Sequence, residues 1–98
     1  EADREAYTAA YSRPGRMRAG WAYFVSFQKA ATDFAQFSQT KLTMPVLSIG
    51  GDKSLGVALG DQMKLVATDV TVVVVPNAGH WLMEEQPKAT ADALLNFL

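Results

Sequence analysis

Six consecutive residues, Val70-Thr71-Val72-Val73-Val74-Val75, are β-branched without a break. Such side chains are stiff in a helix and pack well on a pleated surface, so the run predicts a strand. It hardly alternates in polarity, which suits a parallel strand covered on both faces. A partner stands upstream, where Met44-Pro45 introduces Val46-Leu47-Ser48-Ile49 and Gly50-Gly51 closes it. This reads as a second buried strand ending in a tight turn. Between the two, residues 56–68 carry Leu59, Met63, Val66 and Ala67, which reads as a short helix. Strand, helix and strand make a right-handed crossover unit, and the fold class is α/β.

Two parallel strands covered on both faces need further strands to hydrogen-bond and helices to cover them. The sequence supplies only two. The chain therefore reads as a piece of a larger sheet, or as one that self-associates through its strand edges. A first residue of Glu1 rather than methionine fits a processed, cleaved or partial chain.

The flanking segments are helical. Residues 2–12 are rich in alanine, and Pro14-Gly15 interrupts them. From Arg16, the spacing of Met17, Trp21, Phe24, Ala31, Phe34 and Phe37 predicts a long amphipathic helix with a break near Thr32-Asp33. A last helix starts near Pro87, a residue suited to a first helical position, and carries Ala91, Leu94, Leu95 and Leu98. Residues 1–40 thus form one helical part and residues 41–98 a β-α-β-α part.

Composition excludes several functions. A formal charge of −1 gives no basic field for nucleic acid or anionic membranes. Val70 to Pro76, the longest strongly apolar run, is far too short to span a bilayer. With one histidine and no cysteine there is no zinc set, and nothing in the sequence asks for a cofactor. Gly51-Asp-Lys-Ser-Leu-Gly56 has Val57 where a phosphate-binding loop needs lysine. Arg13, Arg16 and Arg18 form a small basic cluster, read as solvated surface with a lesser chance of attracting an anionic substrate. The absence of cysteine does not settle the compartment.

The segment that carries chemistry is Pro76-Asn77-Ala78-Gly79-His80-Trp81-Leu82-Met83-Glu84-Glu85-Gln86-Pro87. His80, the only histidine, follows a buried strand by a four-residue turn, and the last helix starts seven residues later. A lone loop histidine is ordinarily a polar surface residue. In α/β sheets, however, reactive groups gather at the C-terminal ends of the strands. An imidazole there can act as a base near neutral pH when a carboxylate orients its other nitrogen.

Gly79-His80-Trp81 followed by Glu84-Glu85-Gln86-Pro87 resembles the end of the α/β-hydrolase fold. The resemblance extends back through Met44 to Gly51, similar to the penultimate strand, and through residues 1–40, similar to the end of a helical cap. It implies that the chain is the C-terminal part of an α/β-hydrolase, with His80 as the catalytic histidine. The Gly-His-Trp-Leu-x-Glu-Glu spelling and the segment Arg18-Ala19-Gly20-Trp21-Ala22-Tyr23-Phe24 most resemble the epoxide hydrolase and dehalogenase branch. Those enzymes form an alkyl–enzyme ester on an aspartate nucleophile, and the histidine activates the water that hydrolyses it.

On this resemblance Tyr23 is the candidate cap proton donor, and Trp21, Phe24 and Trp81 are candidates for lining the substrate pocket. Relatives often carry two adjacent tyrosines, the second being the donor; a gap-free alignment puts Phe24 there, and phenylalanine cannot donate. The bland alternative for Tyr23 and Phe24 is aromatic packing of a cap helix. Asp52, in the loop after the penultimate strand, is the candidate triad acid. It lies two residues after Gly50 rather than the usual three, and some relatives place the acid after the strand preceding the cap, outside this chain. Asp52 can equally be an ordinary turn aspartate. Glu84 and Glu85 are expected at the start of the last helix, favoured by its dipole.

No Gly-x-Ser-x-Gly or Gly-x-Asp-x-Gly elbow occurs in the 98 residues. The nucleophile would come from an N-terminal half of the same hydrolase, acting on a small-molecule substrate. Two other readings are kept: a serine-nucleophile esterase or carbon–carbon bond hydrolase of the same fold, and a non-catalytic fragment or degenerate hydrolase that binds a partner.

Overall fold

A computed structural model describes residues 1–98. The elements in order are α1 (Ala2–Tyr11), α2 (Arg16–Phe37), β1 (Val46–Gly51), α3 (Gly56–Val66), β2 (Val70–Val75), α4 (Leu82–Glu85) and α5 (Pro87–Phe97). They divide into two compact units, Glu1–Gln36 and Phe37–Leu98.

The first unit holds α1 and most of α2. No break occurs at Thr32-Asp33, and α2 runs unbroken for 22 residues. Both residues are satisfied within the helix. The Thr32 hydroxyl donates to the Gln28 carbonyl at 3.3 Å, and Asp33 pairs with Lys29 at 2.5 Å. Neither α1 nor α2 contains a buried residue. No helix is long and apolar enough to cross a membrane.

In the second unit β1 and β2 pair in parallel, from Val46 opposite Val70 to Gly51 opposite Val75. The expected strand–helix–strand unit is therefore present, with Gly50 and Gly51 inside β1 rather than beyond it. Side chains alternate across a strand, so even-numbered residues of both strands share one face and odd-numbered ones the other. Helix α3 lies on the even face, where a Cβ at Gly60 would run into Val72. That glycine lets the helix backbone approach the sheet closely. Helix α5 lies over the odd face, and its Ala89, Ala93 and Phe97 line a depression of about 480 Å³ with Leu47, Thr71 and Val73.

The expectation that β2 is buried on both faces needs correction. Val75 is buried, but Val70, Val72 and Val73 are half-buried and Val74 is exposed. One neighbouring strand and two short helices are too little cover for an all-apolar strand. The segment entering β1 is better held: Leu42 bridges to Ala67, and its carbonyl accepts from both the N–H (3.0 Å) and the hydroxyl (3.1 Å) of Thr68.

The last helix starts at Pro87 as the sequence predicts, but Glu84 and Glu85 are not in it. They belong to the separate single turn α4, which Gln86 ends with φ −141 and ψ 61. Buried Thr90 secures the junction, its hydroxyl donating to the carbonyls of Gln86 at 2.8 Å and Leu82 at 3.2 Å.

Candidate functional site

Because Gly51 and Val75 are in register, the two strands end level and their exit loops meet. Backbone bonds run directly between the loops, from the Asp52 N–H to the Val75 carbonyl and from the Lys53 N–H to the Ala78 carbonyl, each at 3.0 Å. The approach is so close that a Cβ at Gly51 would collide with the carbonyl oxygens of Ala78 and Gly79. Only glycine fits at that contact. Asn77 takes a left-handed φ of 56, a conformation asparagine tolerates better than most residues, and the chain turns there toward His80.

Side chains add further ties. Asp52 Oδ1 accepts from the Ala78 N–H at 3.1 Å, and Lys53 Nζ donates to Asn77 Oδ1 at 3.3 Å. The Gln86 amide donates to the Asn77 carbonyl at 3.4 Å. The Asn77 N–H, foremost, holds the Asp52 carboxyl below its ordinary range; the Ala78 N–H and the Lys53 ammonium add to this, against an opposing contribution from desolvation.

His80 stands exposed beyond these ties, and its ring makes no hydrogen bond within the chain. Its one aromatic neighbour is Trp81, at 5.0 Å between ring centroids and 83° between planes. Trp81 is itself 67% exposed. The structure thus brings Asp52, His80 and Trp81 to one end of the sheet. It does not hydrogen-bond Asp52 to His80: the Oδ1 atom of that carboxylate serves the backbone of the histidine loop.

Trp21, Tyr23 and Phe24 lie on α2 in the other unit, all exposed. The rings of Trp21 and Phe24 meet at a tilt with centroids 5.8 Å apart, and those of Phe24 and Phe27 at 5.4 Å, forming a ladder along one side of the helix. Tyr23 lies about 100° around the helix from Phe24 and about 200° from Trp21, off that ladder. The two aromatic pocket candidates of α2 therefore share a face, and the candidate donor does not share it.

Glu85 is a residue that the sequence reading missed. Its carboxylate accepts from the Gly79 N–H at 2.7 Å and from the Trp81 N–H at 3.0 Å. A signal for it was present. Trp81 is the N-cap of α4, and a glutamate in the first turn of a helix can reach back to the N-cap amide. No group of three or more histidine, cysteine or acidic side chains lies close enough to hold a metal ion. The site offers an exposed imidazole on a laced backbone at the C-terminal ends of parallel strands.

A family model described as the alpha/beta hydrolase family matches residues 1–93. The soluble epoxide hydrolase of Corynebacterium sp. (strain C12) is 32% identical over 97 residues, covering 99% of this chain and 34% of that protein. Epoxide hydrolase B of Mycobacterium tuberculosis (strain ATCC 25618 / H37Rv) is 30% identical over 103 residues, covering 100% of this chain and 29% of that protein. Among solved structures, the epoxide hydrolase CorEH without ligand superposes with a TM-score of 0.88 at 32% identity, over 99% of this chain and 34% of that one. Wild-type Cfl2 from Burkholderia cenocepacia gives a TM-score of 0.87 at 32% identity, over 99% and 33% respectively. The chain spans about a third of the length of the curated relatives it matches.

Proposed function

The chain belongs to the alpha/beta hydrolase family, and on that premise we propose that it is the histidine-bearing C-terminal part of an epoxide hydrolase-like enzyme. The observation that carries this reading is His80 itself: exposed at the C-terminal end of a parallel sheet, on a loop tied to both the neighbouring strand exit and α4. Its relatives by sequence and by structure include epoxide hydrolases.

The reaction has two steps. An aspartate oxygen from the rest of the enzyme attacks an epoxide carbon, the ring C–O bond breaks, and the released oxygen takes a proton. An alkyl–enzyme ester results. His80 then removes a proton from a water whose oxygen attacks the ester carbonyl; the acyl C–O bond to the alkyl group breaks, the proton passes from His80 to the departing oxygen, and the diol leaves with the aspartate restored. The histidine is needed only for the second step.

A dehalogenase-like variant of this chemistry is the second reading. Phe24 shares the Trp21 ladder while Tyr23 does not, so the aromatic face of α2 presents no phenolic donor. A halide leaves without needing a proton, so alkyl halides suit that face as well as epoxides.

Mass spectrometry of the His80→Ala variant of the intact enzyme, incubated with styrene oxide, tests the proposal. A substrate-mass adduct that persists on an aspartate is expected. Undiminished turnover in His80→Ala, or an adduct on serine, would overturn it. The 98-residue chain alone is expected to show no turnover.

A further inference from the structure

The two residues gripped by the Glu85 carboxylate, Gly79 and Trp81, are the ones that flank His80. One acceptor group thereby fixes a peptide plane on each side of the histidine. Little else could do so, since the His80 ring makes no hydrogen bond and the Trp81 ring is largely exposed. Glu85 is itself anchored, because its own N–H bonds back to the Trp81 carbonyl at 2.9 Å and the next residue leads into the Thr90 lock. The grip is also snug. A Cβ at Gly79 would come within 3.0 Å of a Glu85 oxygen, so a glycine before the histidine leaves the carboxylate its place.

We infer that Glu85 is a positioning residue: acting through the amides of Gly79 and Trp81, it sets the direction from which His80 meets the hydrolytic water. The inference rests on the reading of His80 as the base of the ester-hydrolysis step. Ionised acceptors make stronger hydrogen bonds than neutral ones, and a carboxylate has two equivalent oxygens for two donors. Glutamine keeps the shape of Glu85 but has one acceptor oxygen, and its NH2 would face an N–H. The substitution Glu85→Gln therefore breaks at least one of the two bonds with little change in bulk.

Misplacing a general base by a fraction of an ångström slows the step it serves and leaves other steps alone. The intact enzyme carrying Glu85→Gln should show kcat reduced on the order of tenfold, with KM falling in parallel and kcat/KM little changed. Alkyl–enzyme ester should build up in the steady state. In the same variant, amide hydrogen exchange at Gly79, Trp81 or both should speed at least about tenfold, with thermal unfolding close to wild type. Glu85→Asp, too short to span both amides, should fall on the same side as Gln.

A general structural lesion would instead lower kcat/KM and accumulate no ester, and that result overturns the inference. Wild-type kinetics or unchanged amide exchange in Glu85→Gln, with His80→Ala inactive, overturns the positioning role and leaves the base reading standing. Full turnover by His80→Ala removes the base reading, and the positioning role with it.

Discussion

Asp52 and Ala78 are 26 residues apart in sequence, and the carboxylate of the first accepts a hydrogen bond from the N–H of the second at 3.1 Å. That bond joins the exits of two strands and ties an acidic side chain to the loop that carries His80, with which it makes no hydrogen bond. Whether an aspartate here orients the imidazole or latches the loop is decided by substitution. Asp52→Asn should retain turnover within about tenfold in the intact enzyme. A loss of about 10³-fold or more would make Asp52 the orienting acid instead.

The same carboxylate makes a pH prediction. Its pKa is lowered in the folded protein by the Asn77 and Ala78 amides and by Lys53. A depressed carboxyl contributes stability that is present above its unfolded value and is lost as pH falls through the folded value. The contribution should therefore persist at neutral pH and disappear only in the acid range, below the ordinary value of 3.8. Denaturant midpoints measured against pH should show that loss in the wild type and a flatter profile in Asp52→Asn.

Gly51 tolerates no side chain. A Cβ would strike two backbone carbonyl oxygens, which cannot swing aside as the end of a long side chain can. Gly51→Ala should cost about 1–3 kcal/mol in chemical denaturation, within the range for overpacking. It should also cost the intact enzyme at least about tenfold in turnover, because the atoms displaced carry the peptide before His80.

Ser48 points the other way. Its hydroxyl is buried in β1, with the residue 4% exposed, and has no hydrogen-bond partner. A buried polar group without a partner costs about 1–3 kcal/mol. Ser48→Ala removes that cost and leaves only a small void, so it should stabilise the protein by about 1 kcal/mol, read as a higher denaturant midpoint at unchanged slope.

Both outer strand edges are unpaired, since the sheet has two strands. Unpaired edges bearing valines invite pairing with another chain. Sedimentation of the isolated 98-residue chain should show association that deepens with concentration. A compact monomer with cooperative unfolding would count against it.

What the sequence disclosed depended on how local each cause was. The valine run and the Pro87 helix start were legible because β-branching and a fixed φ act on their own neighbourhood. The continuity of α2 past Thr32-Asp33 was not, because it depends on whether two polar side chains find partners one turn back. Near the site, His80 stood out by its position after a strand. Glu85 did not, because a helix dipole explains an acidic residue near Pro87 just as well as a reach back to Gly79 does. The role of Gly51 was also hidden: a glycine pair after an apolar run signals a turn, whereas the actual constraint is a pair of carbonyls, on Ala78 and Gly79, far away in sequence.

The edge-on arrangement of His80 and Trp81 puts an indole fluorophore beside the histidine. There are two tryptophans, and Trp21 lies on α2. In the isolated 98-residue chain a Trp21→Phe variant leaves Trp81 as the single tryptophan, and replacing the neighbouring His80 by alanine should change its brightness. Trp81 would then report on the ring beside it without an added label.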